Sequence, residues 1–251
     1  MSDGNMPCEQ AVAEKIKTAM AYRKANKYES ALRTLDDAIA IQPDSAVAWL
    51  TKGVVLAELG KGNESQACYD KLIQFDAASA VAYRLKGATY EMQGAYPKAA
   101  ECFLKAVEME PSNMELRVNL ANSYKKQKKF DEALKTYQQI LDCEPLNPKI
   151  HYFIGVTLGD MGNYEASIGF FNEALRLKPD YSDATLAKGF VLTKLGRKEE
   201  AKQCTDKLVE TKKEASATGS KEASYAALND SCRKDYEASQ RKFKDAFAPP
   251  S

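Results

Sequence analysis

The sequence predicts an all-α protein of tandem helical hairpins, from one clear hairpin pattern and its recurrence every 34 residues. The pattern is clearest in residues 80–113. There, Tyr83, Gly87 and Tyr90 fall at the i, i+4, i+7 spacing that places side chains on one face of a helix. Gly94 follows, and glycine readily adopts the left-handed conformation that ends many helices. These residues predict the first helix of a hairpin.

A second helix is predicted directly after this turn. Pro97 suits a first helical turn, where no backbone N–H is needed, and Pro111 prevents the helix from continuing. Ala99, Phe103 and Ala106 repeat the i, i+4, i+7 spacing between them. The small residues allow two helices to approach closely, and the aromatic rings fill the space that remains.

The pattern recurs six times without an insertion. The copies start near Val12, Ala46, Ala80, Met114, Pro148 and Ser182. A small residue stands at one fixed place in every second helix: Ala31, Ser65, Ala99, Ala133, Ser167 and Ala201. The residue four places later is aromatic in the middle repeats, at Tyr69, Phe103, Tyr137 and Phe171, but is Leu35 in the first and Thr205 in the last. Weaker repeats at the ends are typical of stacked helical repeats.

These residues resemble the tetratricopeptide repeat, whose 34-residue pattern is W-x2-L-G-x2-Y, A-x3-F, P. Trp49, Gly53, Ala133, Tyr137 and Pro145 stand at positions of that motif. The resemblance implies a right-handed superhelical solenoid with a concave and a convex face. The leucine before the small residue is mostly replaced, with lysine in three repeats, and we interpret this as a wetter helix face.

The predicted organisation is an N-terminal tail over 1–11, six repeats over 12–213, a polar connection over 214–220, an amphipathic helix over 221–248 and a tail over 249–251. The apolar stripe of the predicted C-terminal helix consists of Tyr225, Leu228, Cys232, Tyr236, Phe243 and Phe247. We expect this helix to cap the last repeat; occlusion of the groove and pairing with a second chain are the alternatives.

Composition limits the function classes. The net charge is +1 and no one-signed basic face with interleaved aromatic residues is visible, which argues against nucleic-acid binding. No segment has the roughly 20 apolar residues of a membrane span, and the first ten residues lack the features of a signal peptide. We therefore expect a cytoplasmic protein without membrane insertion. The six cysteines form no close pairs, so we expect free thiols and no metal cluster.

The sequence also argues against an enzyme. His151 is the only histidine, and the repeat register places it at a large packing position of a first helix. Gly-Lys and Gly-Arg pairs lie at predicted hairpin turns, so they do not indicate a phosphate-binding loop. We expect no catalytic residues, no cofactor and no metal.

The resemblance implies that first helices line the concave groove. The corresponding positions begin with an apolar section and become polar and Lys-containing further along the chain. They are Val47, Leu50, Val54, Val81, Arg84, Ala88, Glu91, Met92, Asn119, Asn122, Lys125, Lys126, Lys149, Tyr152, Phe190 and Lys194. Cover by neighbouring helices and a solvated lysine turn are simpler explanations of the same residues.

Chaperone adaptors of this family hold a terminal carboxylate with a five-residue clamp of lysine, asparagine and arginine. In the third to fifth repeats, Arg84, Asn119 and Lys149 stand at clamp positions. Ala88 and Phe153 occupy the places of the second asparagine and the second cation. The match is partial, and such residues are frequent on any helix face.

The sequence thus predicts a non-catalytic adaptor that holds a protein segment in the groove, by an apolar anchor together with acidic groups or a free carboxylate. The alternative is a structural repeat protein that forms homo-oligomers through its C-terminal helix or convex face. A chaperone adaptor with a partial carboxylate clamp is a further interpretation.

Overall fold

The computed structural model describes residues 8–76 and 79–206, which are helical throughout apart from turns and contain no strand. The chain divides into an N-terminal unit, Met1–Gln127, and a C-terminal unit, Lys128–Ser251. The helices of the N-terminal unit are α1 (Cys8–Lys24), α2 (Tyr28–Ile41), α3 (Ala46–Glu58), α4 (Gly62–Phe75), α5 (Ala80–Met92), α6 (Tyr96–Met109) and α7 (Met114–Lys126). Those of the C-terminal unit are α8 (Phe130–Cys143), α9 (Pro148–Asp160), α10 (Tyr164–Leu177), α11 (Ser182–Lys194) and α12, helical over 198–206.

The first helices α3, α5, α7, α9 and α11 begin 34 residues apart. The first helix differs from the sequence prediction, because α1 begins at Cys8 rather than near Val12. Residues 8–11, expected in the N-terminal tail, are therefore helical. The predicted C-terminal helix over 221–248, including Tyr225, Leu228, Tyr236, Phe243 and Phe247, lies outside the described residues.

Side chains cap four of the first helices. The Ser45 and Ser79 hydroxyls accept hydrogen bonds from the N–H groups two residues inside α3 and α5, and Asn113 and Asn147 act similarly on α7 and α9. Each cap satisfies one of the backbone donors that have no partner inside the helix. A side-chain cap thus recurs every 34 residues, one position before the helix.

The turn inside each hairpin needs a left-handed residue. Gly94, predicted to end its helix, has a φ of +73°. The same conformation recurs at Asn26, Gly60, Lys128, Gly162 and Gly196. Glycine fits it without strain, and a short polar side chain tolerates it better than a branched one.

Most of the packing in each unit is between helices adjacent along the chain. In the N-terminal unit, α1–α2, α3–α4 and α5–α6 form hairpins, and α2, α4 and α6 pack against the helix that follows each. First helices also contact each other, α1 with α3 and α3 with α5, so they form one layer. In the C-terminal unit, α8 packs on α9, α9–α10 forms a hairpin, and α11 contacts both α9 and α10.

The aromatic residues of the second helices are the largest buried side chains: Tyr69, Phe103, Tyr137 and Phe171. Two hairpins add a buried hydrogen bond between their helices. The Ser65 hydroxyl donates to the carbonyl oxygen of Gly53 over 2.8 Å, and the Ser167 hydroxyl donates to Gly155 over 2.7 Å. Serine at the small position therefore links the two helices without adding bulk.

Two of the three lysines that replace the family leucine form ion pairs between adjacent repeats. Lys52 lies 2.6 Å from Asp36 of the preceding second helix, with its ammonium 5.6 Å from the centre of the Trp49 ring. Lys86 is paired with Asp70 in the same way at 2.5 Å. The wetter face predicted from sequence is thus covered by lysine stems and carboxylates.

The three cysteines at one repeat position, Cys68, Cys102 and Cys204, are buried, with free thiols. Burial raises the pKa of the Cys68 thiol to about 11, against the opposing effect of Lys52. Burial also raises the pKa of the Cys102 thiol, so Cys68 and Cys102 act as small apolar core residues and are poorly ionised near neutral pH.

Candidate functional site

Exposed apolar side chains concentrate on the first helices. Among the described residues, nine large apolar side chains are exposed. Six of them stand at groove positions of the repeat: Met20, Val47, Val81, Met92, Leu186 and Phe190. Four of the six lie in the N-terminal unit, and Leu186 and Phe190 lie in the C-terminal unit.

Two of these residues were missed in the sequence prediction. Met20 stands at the repeat position of Val54, and Leu186 at that of Leu50. Extending the assignment of groove positions to the first and last repeats would have identified both residues.

The N-terminal unit holds most of the predicted groove residues, on the first helices α3, α5 and α7, and α1 adds Met20. Val47 and Met92 are the most exposed of the large apolar residues there, at 58% and 72%. The flanking Leu50, Val54 and Ala88 are half-buried. We call this surface the first-helix face of the N-terminal unit. Its middle is apolar.

Charged residues on this face are paired across neighbouring first helices. The Arg23 guanidinium donates two hydrogen bonds to the Glu58 carboxylate, over 2.6 and 2.9 Å. Arg84, which the sequence offered to an acidic ligand, already has Glu115 at 3.9 Å. A ligand carboxylate would therefore compete with Glu115 for Arg84.

Glu91 and the residues of α7 complete the polar edge of this face. Burial raises the pKa of the Glu91 carboxyl, an effect that the positive charge of Lys126 opposes. The remaining predicted residues, Asn119, Asn122 and Lys125, are half-buried on α7. The edge thus combines both charge signs with amide groups.

In the C-terminal unit, the predicted groove lysines lie over aromatic rings. The Lys149 ammonium is 5.7 Å from the centre of the Phe153 ring, and that of Lys194 is 5.2 Å from Phe190. Lys149 and Lys194 are exposed. Cation–π contact holds each charge close to an apolar surface.

Tyr152 belongs more to the packing than to an open surface. Its ring centre lies 5.2 Å from Tyr181, 5.6 Å from Phe153 and 6.1 Å from Phe171. Burial, followed by the nearby Tyr152 and Asp183, raises the pKa of Tyr181 to about 12. The cluster joins α9 to the start of α11.

The partial carboxylate clamp gains little from these positions. Arg84 and Asn119 lie in the N-terminal unit, where Arg84 has Glu115 as a partner. Lys149 lies in the C-terminal unit, over the Phe153 ring that stands at the place of the second clamp cation. The clamp stays a hypothesis that rests on three of five residues.

His151 is a buried packing residue. Its Nε2 lies 2.9 Å from the carbonyl oxygen of Pro145. Trp49, at the same position of the second repeat, makes the equivalent contact, with its ring nitrogen 2.8 Å from the carbonyl oxygen of Pro43. Because a carbonyl only accepts, Nε2 carries the proton in His151. Nδ1 is buried without a hydrogen-bond partner among the described residues. Burial accordingly lowers the pKa of His151.

We expect this histidine to make stability fall on acidification. The unfolded chain binds a proton near pH 6.5, whereas the folded chain resists protonation, so stability is present above that pH and is lost as pH falls toward the lowered pKa. In chemical denaturation, the wild type should lose stability between about pH 7 and pH 5.5. His151→Gln, whose amide can donate but does not titrate, should show a smaller slope. Equal slopes would contradict the assignment.

Neither a metal site nor a membrane span is found in the described parts of the chain. Residues 8–76 and 79–206 contain no group of three or more histidine, cysteine, aspartate or glutamate residues placed to hold a metal ion. None of the helices described there combines the length and apolar content needed to cross a bilayer.

The stacked hairpins define an all-α helical-repeat protein. The family model described as Tetratricopeptide repeat protein 21 C-terminal ARM domain matches residues 19–154, more than half of the chain. A model described as Tetratricopeptide repeat matches residues 148–181. The chain belongs to the tetratricopeptide-repeat family.

A curated relative covers a short stretch. Uncharacterized protein MJ0572 of Methanocaldococcus jannaschii is 43% identical over 54 residues, which are 22% of this chain and 63% of that protein. The match therefore spans less than two thirds of the relative.

Several solved structures share the fold. A structure titled as a functional characterization of Pseudomonas aeruginosa pilF has a TM-score of 0.62 at 17% identity, covering 90% of this chain and all of that one. MamA from Desulfovibrio magneticus RS-1 gives 0.61 at 18% identity, over 68% of this chain and 97% of that one. YrrB, titled a TPR protein with an unusual peptide-binding site, gives 0.54 at 22%, over 70% and 91%. At such identities the likeness shows the fold alone.

Proposed function

We propose that this chain is a non-catalytic interaction scaffold that holds a segment of a partner protein on the first-helix face of its N-terminal unit. One observation carries the proposal: of the seven large apolar side chains that are exposed among the described residues of this unit, four stand at first-helix groove positions, Met20, Val47, Val81 and Met92. Exposed apolar side chains that recur in register provide anchor sites for a peptide. The description of YrrB as having a peptide-binding site concerns that protein, and it makes the same use of the fold a reasonable proposal here.

The ligand we propose binds mainly by apolar side chains. Val47, Val81 and Met92 are exposed, and the nearby cations Arg23 and Arg84 face carboxylates of the chain itself. Exposed ion pairs of this kind contribute little energy but keep the face close to neutral. Within the C-terminal unit, the exposed Lys149 and Lys194 are separate candidates for binding an acidic group or a terminal carboxylate, which the sequence also predicted.

A non-catalytic role is supported by the state of the reactive groups. The histidine is buried with a lowered pKa, and Cys68 and Cys102 are buried thiols with raised pKa values. General acid–base and nucleophilic chemistry instead need such groups accessible and ionisable near neutral pH. The cytoplasmic location stays a prediction from the sequence.

We expect Val81→Glu to abolish peptide binding without unfolding the protein. The test uses peptides selected from a random phage-displayed library on the full chain, with affinities then measured by titration. Because Val81 is 42% exposed, glutamate is tolerated by the fold but places a carboxylate in the apolar middle of the face. Affinity should fall by at least about tenfold, or 1.4 kcal/mol.

Leu104→Glu is the matched control. Leu104 is also 42% exposed but lies on a second helix, away from the proposed face. Selected peptides should bind this variant as they bind the wild type, and circular dichroism should be unchanged for both. If Leu104→Glu weakened binding and Val81→Glu did not, the binding face would lie on the second helices.

Self-assembly remains the second candidate, favoured by Ile41 and Phe75. These exposed apolar residues stand at the same repeat position near the ends of α2 and α4. Sedimentation across a range of concentrations separates the two proposals, with Phe75→Ser and a Phe243→Ser/Phe247→Ser double variant. Monomers at every concentration in the wild type would exclude assembly; loss of an oligomer in one variant would identify its surface.

A further inference from the structure

Oppositely charged residues recur at two equivalent positions across the first-helix face of the N-terminal unit. Arg23 of α1 forms an ion pair over 2.6 Å with Glu58 of α3, which lies 35 residues later. The same separation leads from Glu91 of α5 to Lys126 of α7, with the positive and negative charges exchanged. Glu91 and Lys126 therefore have the charges and the repeat positions of a second ion pair.

This second pair does not close. Among the residues that the structure describes, the Glu91 carboxylate forms neither a hydrogen bond nor an ion pair. Lys126 affects Glu91 only through its charge, which opposes the rise in the pKa of the carboxyl, and its own side chain is exposed. Both oxygens of Glu91 are thus available to a donor from a ligand.

Glu91 is also the least solvated carboxylate of these first helices. The described parts of α1, α3, α5 and α7 carry five acidic side chains, of which Glu9, Glu14, Glu58 and Glu115 are exposed and Glu91 is half-buried. Burial is the main cause of the raised pKa of Glu91. A cation stabilises a half-buried carboxylate more than an exposed one, because water screens the interaction less.

Apolar side chains lie next to Glu91 on α5. Met92, the following residue, is 72% exposed, and Ala88, one turn earlier, is half-buried. A segment that binds there through apolar side chains removes further water from Glu91. This loss of water is unfavourable unless the segment also brings a donor for the carboxylate.

We propose that Glu91 selects the ligands of this face by binding a lysine or arginine side chain that neighbours an apolar anchor in the bound segment. This inference rests on the proposed function, the binding of a partner segment to the first-helix face. Charge complementarity favours such a ligand, because Arg23 and Arg84 already face carboxylates of the chain, whereas Glu91 has no cation in contact. The ligand of this unit then carries a positive charge, where the sequence predicted acidic groups.

Parallel selections from one random phage-displayed peptide library, on the full-length wild type and on Glu91→Gln, test this ligand chemistry. Peptides recovered on the wild type should be enriched in lysine or arginine beside a large apolar residue, and those recovered on Glu91→Gln should lack this enrichment. Glu101→Gln is the matched control, since it removes the same charge from an exposed position on the second helix α6. It should recover the same peptides as the wild type.

Synthetic, N-acetylated forms of the recovered peptides give the size of the effect. Replacing the selected arginine with citrulline, or the selected lysine with norleucine, should weaken binding to the wild type by about tenfold. The same replacement should not weaken binding to Glu91→Gln. Circular dichroism of both glutamine variants should match the wild type.

Three results would overturn the inference and leave the proposed function intact, provided that Val81→Glu still abolishes binding. They are enrichment in aspartate or glutamate, which would place a ligand carboxylate on Lys126, recovery of wholly apolar peptides, and loss of affinity on N-acetylation, which would place an N-terminal ammonium at Glu91. Failure to recover peptides, or peptides that bind Val81→Glu as they bind the wild type, would instead contradict the proposed function and this inference with it.

Discussion

Replacing Phe103 with alanine should lower the free energy of unfolding by about 3–5 kcal/mol. Phe103 is fully buried between α5 and α6 and packs on Gly87, where an added methyl group would lie 2.8 Å from the ring. The loss combines the removed apolar burial with the cost of the cavity. Chemical denaturation followed by circular dichroism measures it.

The neighbouring residue gives a matched control for this variant. Leu104 lies on the same helix one position later, is 42% exposed, and should lose less than about 1 kcal/mol on change to alanine. Trp49, the only tryptophan, lies in the preceding hairpin of the same unit and reports whether the loss spreads. Since each repeat is stabilised by its neighbours, we expect the Trp49 fluorescence transition to shift with the helical signal. A Phe103→Ala protein as stable as Leu104→Ala would contradict this account of the core.

The fold was predictable because its signals are local and repeated. A glycine that ends the helix, a proline that starts the next and an aromatic four residues after a small residue all lie within one repeat, and Gly94 and Phe103 behave as predicted. Repetition removes the ambiguity that a single pattern would have. The caps at Ser45 and Asn113 were also visible as serine or asparagine one position before a helix, but the sequence prediction did not use them.

The lysines at the leucine position could not be interpreted from one repeat. Lys52 forms an ion pair with Asp36, and Lys86 forms one with Asp70. Each aspartate lies 16 residues earlier, in the preceding repeat. When one hairpin is considered alone, a lysine in place of the leucine would be interpreted as a loss of apolar packing surface. The recurrence of aspartate and lysine at this separation was the available signal, since a pair between repeats must recur with the period.

The same reason limits the prediction of the candidate site. The position of a residue within the repeat predicts whether its side chain lies on the first-helix face, but it does not predict ion pairs between neighbouring helices. Arg84 pairs with Glu115 in this way, and Arg23 pairs with Glu58. These pairs decide whether a cation is available to a ligand, because a paired guanidinium must first lose its partner.

Replacing Gly53 with valine should lower the free energy of unfolding by about 2–3 kcal/mol, because the new side chain overlaps the buried ring of Tyr69. Valine is a sharper test than alanine, since Ala121 shows that the fourth repeat carries one methyl group at this position. The added Cβ alone would lie 2.5 Å from the ring, and neither α3 nor α4 can withdraw without separating the Ser65 hydroxyl from the Gly53 carbonyl. Thermal and chemical denaturation followed by circular dichroism measure the loss.

Gly189→Val is the matched substitution in the sixth repeat, where a Cβ meets nothing closer than 3.5 Å. There the change should cost less than about 1 kcal/mol, because valine is a slightly better helix former than glycine and its Cβ makes only ordinary contacts at this position. The two variants make the same substitution at the same repeat position. The difference between their losses in the free energy of unfolding therefore measures the effect of the aromatic ring, which Tyr69 supplies in the second repeat and Thr205 does not supply in the sixth. Equal losses would mean that glycine is needed at this position for its backbone conformation and not for close packing against a ring. Both hairpins would then accommodate an aromatic ring equally well.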